Sequence, residues 1–175
     1  MNFLKSTVLC FLFSCTNVSA LEVDFEVDPL LFFLDGYSVH LGFSGDSSRL
    51  EIGYFGLEAD EEFHDNKNYY LEIEGVGIKY DYTFKDYYGF FIGWEINHAN
   101  ATITHTPTQT VFKRKVTTTA PRIGYRFMLS KSFVLTTTLA YDILVDEGDA
   151  VKVDQETYKN DSGQFFPSVH VGYRF

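Results

Sequence analysis

Apolar and polar residues alternate along most of this chain with the period of two that is characteristic of β-strands. The alternation is clearest at 165–175, where one face is apolar and the other is mixed and mostly polar. The apolar face carries Phe165, Pro167, Val169, Val171, Tyr173 and Phe175. Similar alternation occupies 37–43, 49–55, 76–84, 88–97, 120–127 and 133–143. Strands of this kind can cross a bilayer at a tilt, so the pattern predicts seven membrane-spanning strands.

The connections between these strands alternate in length. Tight turns are predicted at 45–48, 85–87 and 129–132, and long polar loops at 58–68, 100–112 and 145–163. Outer-membrane barrels have short periplasmic turns and longer external loops. They also have an even number of strands, and 21–27 supplies the eighth because its apolar residues alternate with Glu22, Asp24 and Glu26. The sequence therefore predicts an all-β fold, an antiparallel up-and-down transmembrane β-barrel of eight strands with both termini in the periplasm.

One segment does not fit the alternation. Residues 29–34 are apolar on both faces. The pattern leaves open whether they extend the first strand, plug one end of the barrel or form a surface loop.

Aromatic residues concentrate near the ends of the predicted strands, on the apolar face. They are Tyr37, Phe43, Tyr82, Phe84, Tyr88, Trp94, Tyr125, Phe127, Phe133, Tyr141 and Tyr173. Rings with an apolar body and a polar tip suit the headgroup level, so these residues predict two aromatic girdles. In a soluble sandwich or lipocalin-like barrel the aromatic face would fill a core and the opposite face would be solvated. Here the opposite face holds glycines and charges throughout, which favours a membrane barrel.

The first twenty residues have the features of a secretory signal peptide. Lys5 gives a positive start, residues 8–13 are apolar, and Val18-Ser19-Ala20 places small residues at a cleavage site. We therefore divide the chain into a signal peptide at 1–20 and a barrel domain at 21–175. Residues 12–15 also form a rough lipoprotein box, so lipidation at Cys15 stays an alternative to cleavage after Ala20.

Composition excludes one class of partner. The formal net charge is −10, whereas a nucleic-acid-binding surface must be basic. Both cysteines lie within 1–20, so the processed chain would have no disulfide framework.

Charged residues on the polar face of the strands predict a network inside the barrel. They are Glu51, Lys79, Asp81, Glu95, Arg122, Arg126, Asp142 and Arg174. An eight-stranded barrel is only wide enough for side chains, and unpaired buried charge is costly. We expect Arg122 and Arg126 to face Glu95 and Asp142, and Arg174 to meet Glu22 or Asp24 where the barrel closes. A rigid, plugged interior is favoured over an ion path.

Other candidate chemistry is weaker. The acidic segments 58–66 and 146–156 offer oxygen ligands for Ca²⁺, but they lack the spacing of a dedicated calcium loop. A solvated surface that shares divalent cations with lipopolysaccharide is favoured. His40, His64 and His170 are isolated in the sequence and show no metal spacing. No metal site, cofactor or catalytic residue is therefore predicted.

From these features, the chain resembles the small OmpA/OmpX-type bacterial outer-membrane barrels over residues 21–175. The ending Val171-Gly172-Tyr173-Arg174-Phe175 is shared by many such barrels. The resemblance implies export to the outer membrane and recognition by the barrel-assembly machinery, with Tyr173 and Phe175 as the contacts. It also implies a monomer in contact with outer-membrane lipid and lipopolysaccharide.

The predicted function is non-enzymatic: an envelope structural or surface-interaction role through the external loops. A narrow pore for ions or small solutes is the alternative. A lipid-A-modifying enzyme is third. His98 stands at the outer end of a strand, as in barrel lipid A deacylases, but their serine two residues later is here Asn100. A serine–histidine–acid arrangement therefore cannot form there.

Overall fold

The structure is a computed structural model that describes residues 21–59, 61, 64, 66–84, 87–146, 151–153, 156–158 and 163–175. The predicted signal peptide at 1–20 and the alternative lipidation site at Cys15 lie outside the described residues.

Eight antiparallel strands form one closed barrel, as the sequence predicted. They are β1 (Glu22–Val27), β2 (Gly36–Ser44), β3 (Ser48–Ala59), β4 (Tyr69–Thr83), β5 (Gly89–His105), β6 (Thr110–Met128), β7 (Phe133–Asp146) and β10 (Gln164–Arg174). Neighbours in sequence pair with one another from β1 to β7, and β10 pairs with both β7 and β1. The barrel closes where Asp24 lies opposite Arg174 and Phe25 lies opposite Tyr173.

The outer surface of the barrel is apolar in its central band. Exposed apolar side chains on it include Leu50, Ile52, Tyr54, Val76, Ile78, Tyr80, Ile92, Trp94, Ile96, Ile123 and Leu139. An exposed aromatic belt lies at the end of the barrel with the short turns, which we call the lower end. It comprises Tyr82, Phe84, Tyr88, Phe127, Phe133 and Tyr173. A contiguous apolar surface of this extent requires an apolar environment, and this distribution is typical of a lipid-facing barrel wall.

Residues 29–34 form a helical turn rather than a strand. Helix α1 (Pro29–Phe32) follows β1 directly, and the Asp28 side chain accepts a hydrogen bond from the Leu30 backbone N–H at 2.9 Å. Proline is favoured at the first helical position because it has no N–H to leave unpaired. Leu31 points into the barrel and is buried, whereas Phe33 is 84% exposed. Within the described residues, no helix is long and apolar enough to cross a membrane.

Two of the predicted loops contain strand residues. The prediction of a loop at 100–112 was wrong, because β5 continues to His105 and β6 begins at Thr110. The segment is polar but rich in threonine, a β-branched residue that favours strands. Within 145–163, β8 (Val151–Val153) pairs with β9 (Glu156–Tyr158) in a separate two-stranded sheet.

The barrel wall is consequently uneven in height. β4, β5 and β6 contain 15, 17 and 19 residues, whereas β1, β2 and β10 contain 6, 9 and 11. The tall side has its own apolar core on the inner face. This core comprises Ala59, Tyr69, Leu71, Ala101, Ile103, Val151 and Tyr158. The β8–β9 hairpin therefore packs against the inside of the tall wall.

Candidate functional site in the barrel interior

The eight residues predicted for the interior network lie on the inner face of the strands. Glu51, Lys79, Asp81, Glu95, Arg122 and Arg126 are buried, and Asp142 and Arg174 are half-buried. Alternation along each strand explains this placement, because every second side chain points inward. Their pairing, however, differs in part from the expectation.

Arg122 and Arg126 on β6 share one carboxylate on β4. Arg122 Nε lies 3.4 Å from Asp81 Oδ1, and Arg126 Nη2 donates to Asp81 Oδ2 at 3.3 Å. Arg122 Nη1 is also 3.4 Å from Glu95 Oε2 on the intervening strand, β5. The expected partnership with Asp142 was wrong: within the described part of the chain, the ion pairs of Arg122 and Arg126 do not include Asp142.

A glycine on β5 explains how Arg122 on β6 reaches Asp81 on β4. Gly93 on β5 lies opposite both Asp81 and Arg122 in the strand registers. A Cβ atom on Gly93 would lie 3.0 Å from Arg122 Cγ and would also meet the Asp81 carboxylate. The missing side chain opens a path across β5, and an arginine is long enough to use it.

The sequence prediction left out Arg49, a buried cation with three carboxylate partners. Its Nε donates to Asp24 Oδ2 at 3.1 Å, and its Nη1 forms an ion pair with Glu51. Arg49 Nη2 lies 3.2 Å from Glu26 Oε1. Gly42 stands between β1 and β3 as Gly93 does in the other cluster, since a Cβ there would meet both Arg49 and Asp24. The signal that could have identified Arg49 is its position two residues before Glu51, on the same polar face of the strand.

Tyr87 closes the lower end of the interior. It belongs to the β4–β5 connection, is buried, and donates its hydroxyl to Asp24 Oδ2 at 3.0 Å. The guanidinium carbons of Arg126 and Arg174 lie 5.2 and 4.7 Å from its ring centre. Arg174 itself forms an ion pair with Glu22 at the closure. The charges are therefore covered from below by an aromatic ring.

Two histidines that are distant in sequence meet above Arg49. His40 on β2 and His170 on β10 stack with ring centres 4.5 Å apart and planes inclined by 17°. His40 Nδ1 is 2.8 Å from Glu51 Oε1, and His170 Nδ1 is 3.3 Å from Glu26 Oε2. These histidines are isolated in the sequence but adjacent in the fold. β1 pairs with both β2 and β10, so closure of the barrel brings their strands together.

A cavity of about 230 Å³ lies next to the histidine pair. Its polar lining includes His40, His170, Lys79 and Asp142, and its apolar lining includes Leu31, Phe55, Ile73, Val116 and Phe166. Among the described residues, no hydrogen-bond donor reaches the buried Asp142 Oδ1. The interior thus changes from a packed charge network to an open, partly apolar space.

The remaining candidates lie away from this site. His98 is exposed on the outer wall and contacts Thr117 Oγ1 at 2.9 Å through Nδ1, and Asn100 is also exposed. Parts of both acidic segments, 58–66 and 146–156, fall outside the described residues. Phe175 is 78% exposed, and its ring centre is 5.3 Å from that of Tyr173, on the outer surface at the lower end.

Comparison with known proteins supports the fold. The sequence matches no protein-family model and no curated protein. Among solved structures it is similar to the N-terminal β-barrel domain of Pseudomonas aeruginosa OprF, with 16% identity and a TM-score of 0.52. That match covers 88% of this chain and 97% of the other. Neisserial surface protein A matches with 10% identity and a TM-score of 0.52, over 88% of this chain and 94% of the other. The chain therefore has the fold of the small eight-stranded outer-membrane barrels.

Proposed function

We propose that this protein is a non-enzymatic outer-membrane barrel whose tall wall acts as a surface platform in envelope structure or surface interaction. The observation that carries the proposal is the contrast between the two ends. Paired charges and Tyr87 fill the lower interior, while β4, β5 and β6 continue as a rigid sheet beyond the apolar band.

The outer face of the extended wall is polar. It exposes Glu72 and Glu74 on β4, Asn100 on β5, and Lys113 and Lys115 on β6. The acidic residues of β4 and the basic residues of β6 lie on either side of β5, and such a charged surface suits contact with a polar or charged partner.

The β8–β9 hairpin makes the extension stiff. The rings of Tyr158 on β9 and Tyr69 on β4 meet edge to face with centres 5.5 Å apart. The Arg114 guanidinium lies 4.9 Å from the Tyr158 ring centre. A preorganised surface loses less conformational entropy on binding than a flexible loop does.

Cysteine labelling in intact cells tests the orientation and exposure that this function requires. Thr108 lies at the tip of the β5–β6 hairpin and Ser130 in the β6–β7 turn, and both are exposed. Cleavage after Ala20, or lipidation at Cys15, would leave the natural chain without a free thiol. We expect a membrane-impermeant maleimide to label T108C in intact cells and S130C only after lysis. The reverse result would overturn the proposed platform.

A narrow pore is the second candidate, and the cavity above the charge network is the observation that favours it. Planar-bilayer recordings distinguish the two. If the interior is a plug, the purified barrel produces no single-channel steps in concentrated salt. Reproducible steps would instead make conduction the function.

Mass spectrometry of lipid A from cells with and without the protein tests the enzymatic alternative, and the two spectra are expected to be the same.

A further inference from the structure

The stacked histidines form the centre of a cluster with the chemistry of a metal site. His40, His170 and Glu51 each offer one ligand atom, these atoms lie within 4.8 Å of one another, and all three residues are buried. Two imidazole nitrogens and a carboxylate oxygen are a common ligand set for zinc and related transition metals. Three protein ligands leave a fourth position for water, and His40 and His170 both line the adjacent cavity.

The charge of the interior independently indicates a cation. The buried carboxylates on the inner wall are Asp24, Glu26, Asp28, Glu51, Asp81 and Glu95. The buried lysine and arginine side chains there, among the described residues, are Lys79, Arg49, Arg122 and Arg126. Among the described residues, six buried carboxylates therefore face four buried lysine and arginine side chains, an excess of two negative charges that a divalent ion would balance.

We propose that His40, His170 and Glu51 bind one divalent transition-metal ion, of the zinc class, reached through the cavity. Neighbouring groups hold the ligands in place. Arg49 pairs with Glu51. The His170 ring has a carboxylate beside each nitrogen, with Nδ1 3.3 Å from Glu26 Oε2 and Nε2 3.8 Å from Asp28 Oδ2. Such outer contacts orient ligands and set their basicity.

The Lys79 side chain must move before a metal ion can bind at this site. Its Nζ lies 3.1 Å from Glu51 Oε1, where it would repel a bound cation. Glu95 is opposite Lys79 in the strand register, and Asp142 lines the same cavity with an oxygen that no donor among the described residues reaches. The flexible lysine therefore has other carboxylates within its surroundings. We expect Lys79→Met to increase metal affinity.

Metal titration of the refolded full-length barrel in detergent tests the proposal. Zn²⁺ is added in the presence of excess Mg²⁺, which occupies surface carboxylates that favour hard cations. The expected result is one tightly bound zinc per barrel. His40→Gln and His170→Gln should each weaken binding by at least about tenfold. His98→Gln is the matched control, because His98 is exposed on the outer wall, and it should bind zinc like the parent.

Three results would overturn the site: no stoichiometric zinc in the parent, unchanged affinity in both interior variants, or lost affinity in the control. Should either interior variant fail to fold, X-ray absorption at the zinc edge of the loaded parent still decides. Two imidazole ligands would support the proposal. A shell of water and carboxylate oxygens would contradict it.

Discussion

At the scale of single residues, the interior depends on guanidinium groups that serve carboxylates from other strands. Removing Arg122 takes an ion-pair partner from each of two buried carboxylates, Asp81 and Glu95. We expect Arg122→Leu to lower the free energy of unfolding by about 3–5 kcal/mol. Arg174 is the comparison, because its pair with Glu22 is 24% and 32% exposed. Arg174→Leu should cost about 1 kcal/mol or less.

Urea unfolding can measure both variants, followed by the fluorescence of the single tryptophan, Trp94. Equal midpoints and slopes for the parent and Arg122→Leu would show that the buried pair contributes nothing.

Gly93 gives a second test at this scale, because its lack of a side chain connects β4 with β6. A methyl group there would lie 2.5 Å from the Tyr80 carbonyl oxygen and would meet the Asp81 carboxylate. We expect Gly93→Ala to destabilise the barrel by about 1–3 kcal/mol through overpacking. Gly45→Ala is the control, since the nearest atom to its new methyl would be 3.9 Å away. If both substitutions changed the free energy of unfolding equally, the pairing of Arg122 with Asp81 would not depend on the space left by Gly93.

The inward residues were predictable, and so were the pairs Arg122–Glu95 and Arg174–Glu22. The partners of Arg126 and Arg49 were not. Alternation assigns a face to each side chain, which is how Glu95 and Arg122 were placed in one network. Pairing through Gly93 and Gly42 depends on register and on rotamers that span two strands. The meeting of His40 with His170 depends on closure of the whole barrel. Rules for the spacing of metal ligands consider residues that are close in sequence, so they cannot detect the pair of His40 and His170.

At the scale of elements, the period of two predicted every barrel strand because the membrane requires an apolar residue at each outward position. Beyond the apolar band this requirement ends. The outer part of β5 alternates Thr102 and Thr104 with Ala101 and Ile103, so a polar segment was interpreted as a loop. The β8–β9 hairpin has only three residues in each strand, too few for a periodic signal. It depends instead on packing of Tyr158 against Tyr69.

The terminal strand carries a prediction of its own. Phe175 is 78% exposed, and its backbone N–H donates to the Val23 carbonyl at 3.0 Å. Deleting Phe175 removes little buried surface, so the unfolding midpoint of the refolded barrel should hardly change. If the residue is an assembly signal, outer-membrane levels in cells should fall. Normal levels, measured by immunoblotting of membrane fractions, would contradict that role.

At the scale of the whole molecule, closure gives each of the eight barrel strands a paired neighbour on both sides. A closed barrel with an apolar exterior should resist SDS until it is heated. We expect a boiling-dependent shift in electrophoretic mobility for the outer-membrane fraction. A protein found in the soluble periplasm without such a shift would contradict the membrane assignment and favour a lipocalin-like carrier.

The two ends of the chain meet at the closure, and this has a consequence for the order of folding. The bond between His170 and Glu26 joins residues 144 positions apart, whereas Arg126 reaches Thr136 over 10 positions. Distant contacts carry the larger loss of chain entropy and form after neighbouring hairpins have shortened the loop between them. Formation of the histidine stack therefore marks the closure of the barrel. In a time-resolved refolding experiment, imidazole signals from His40 and His170 should reach their final values only when the last strand pair has formed.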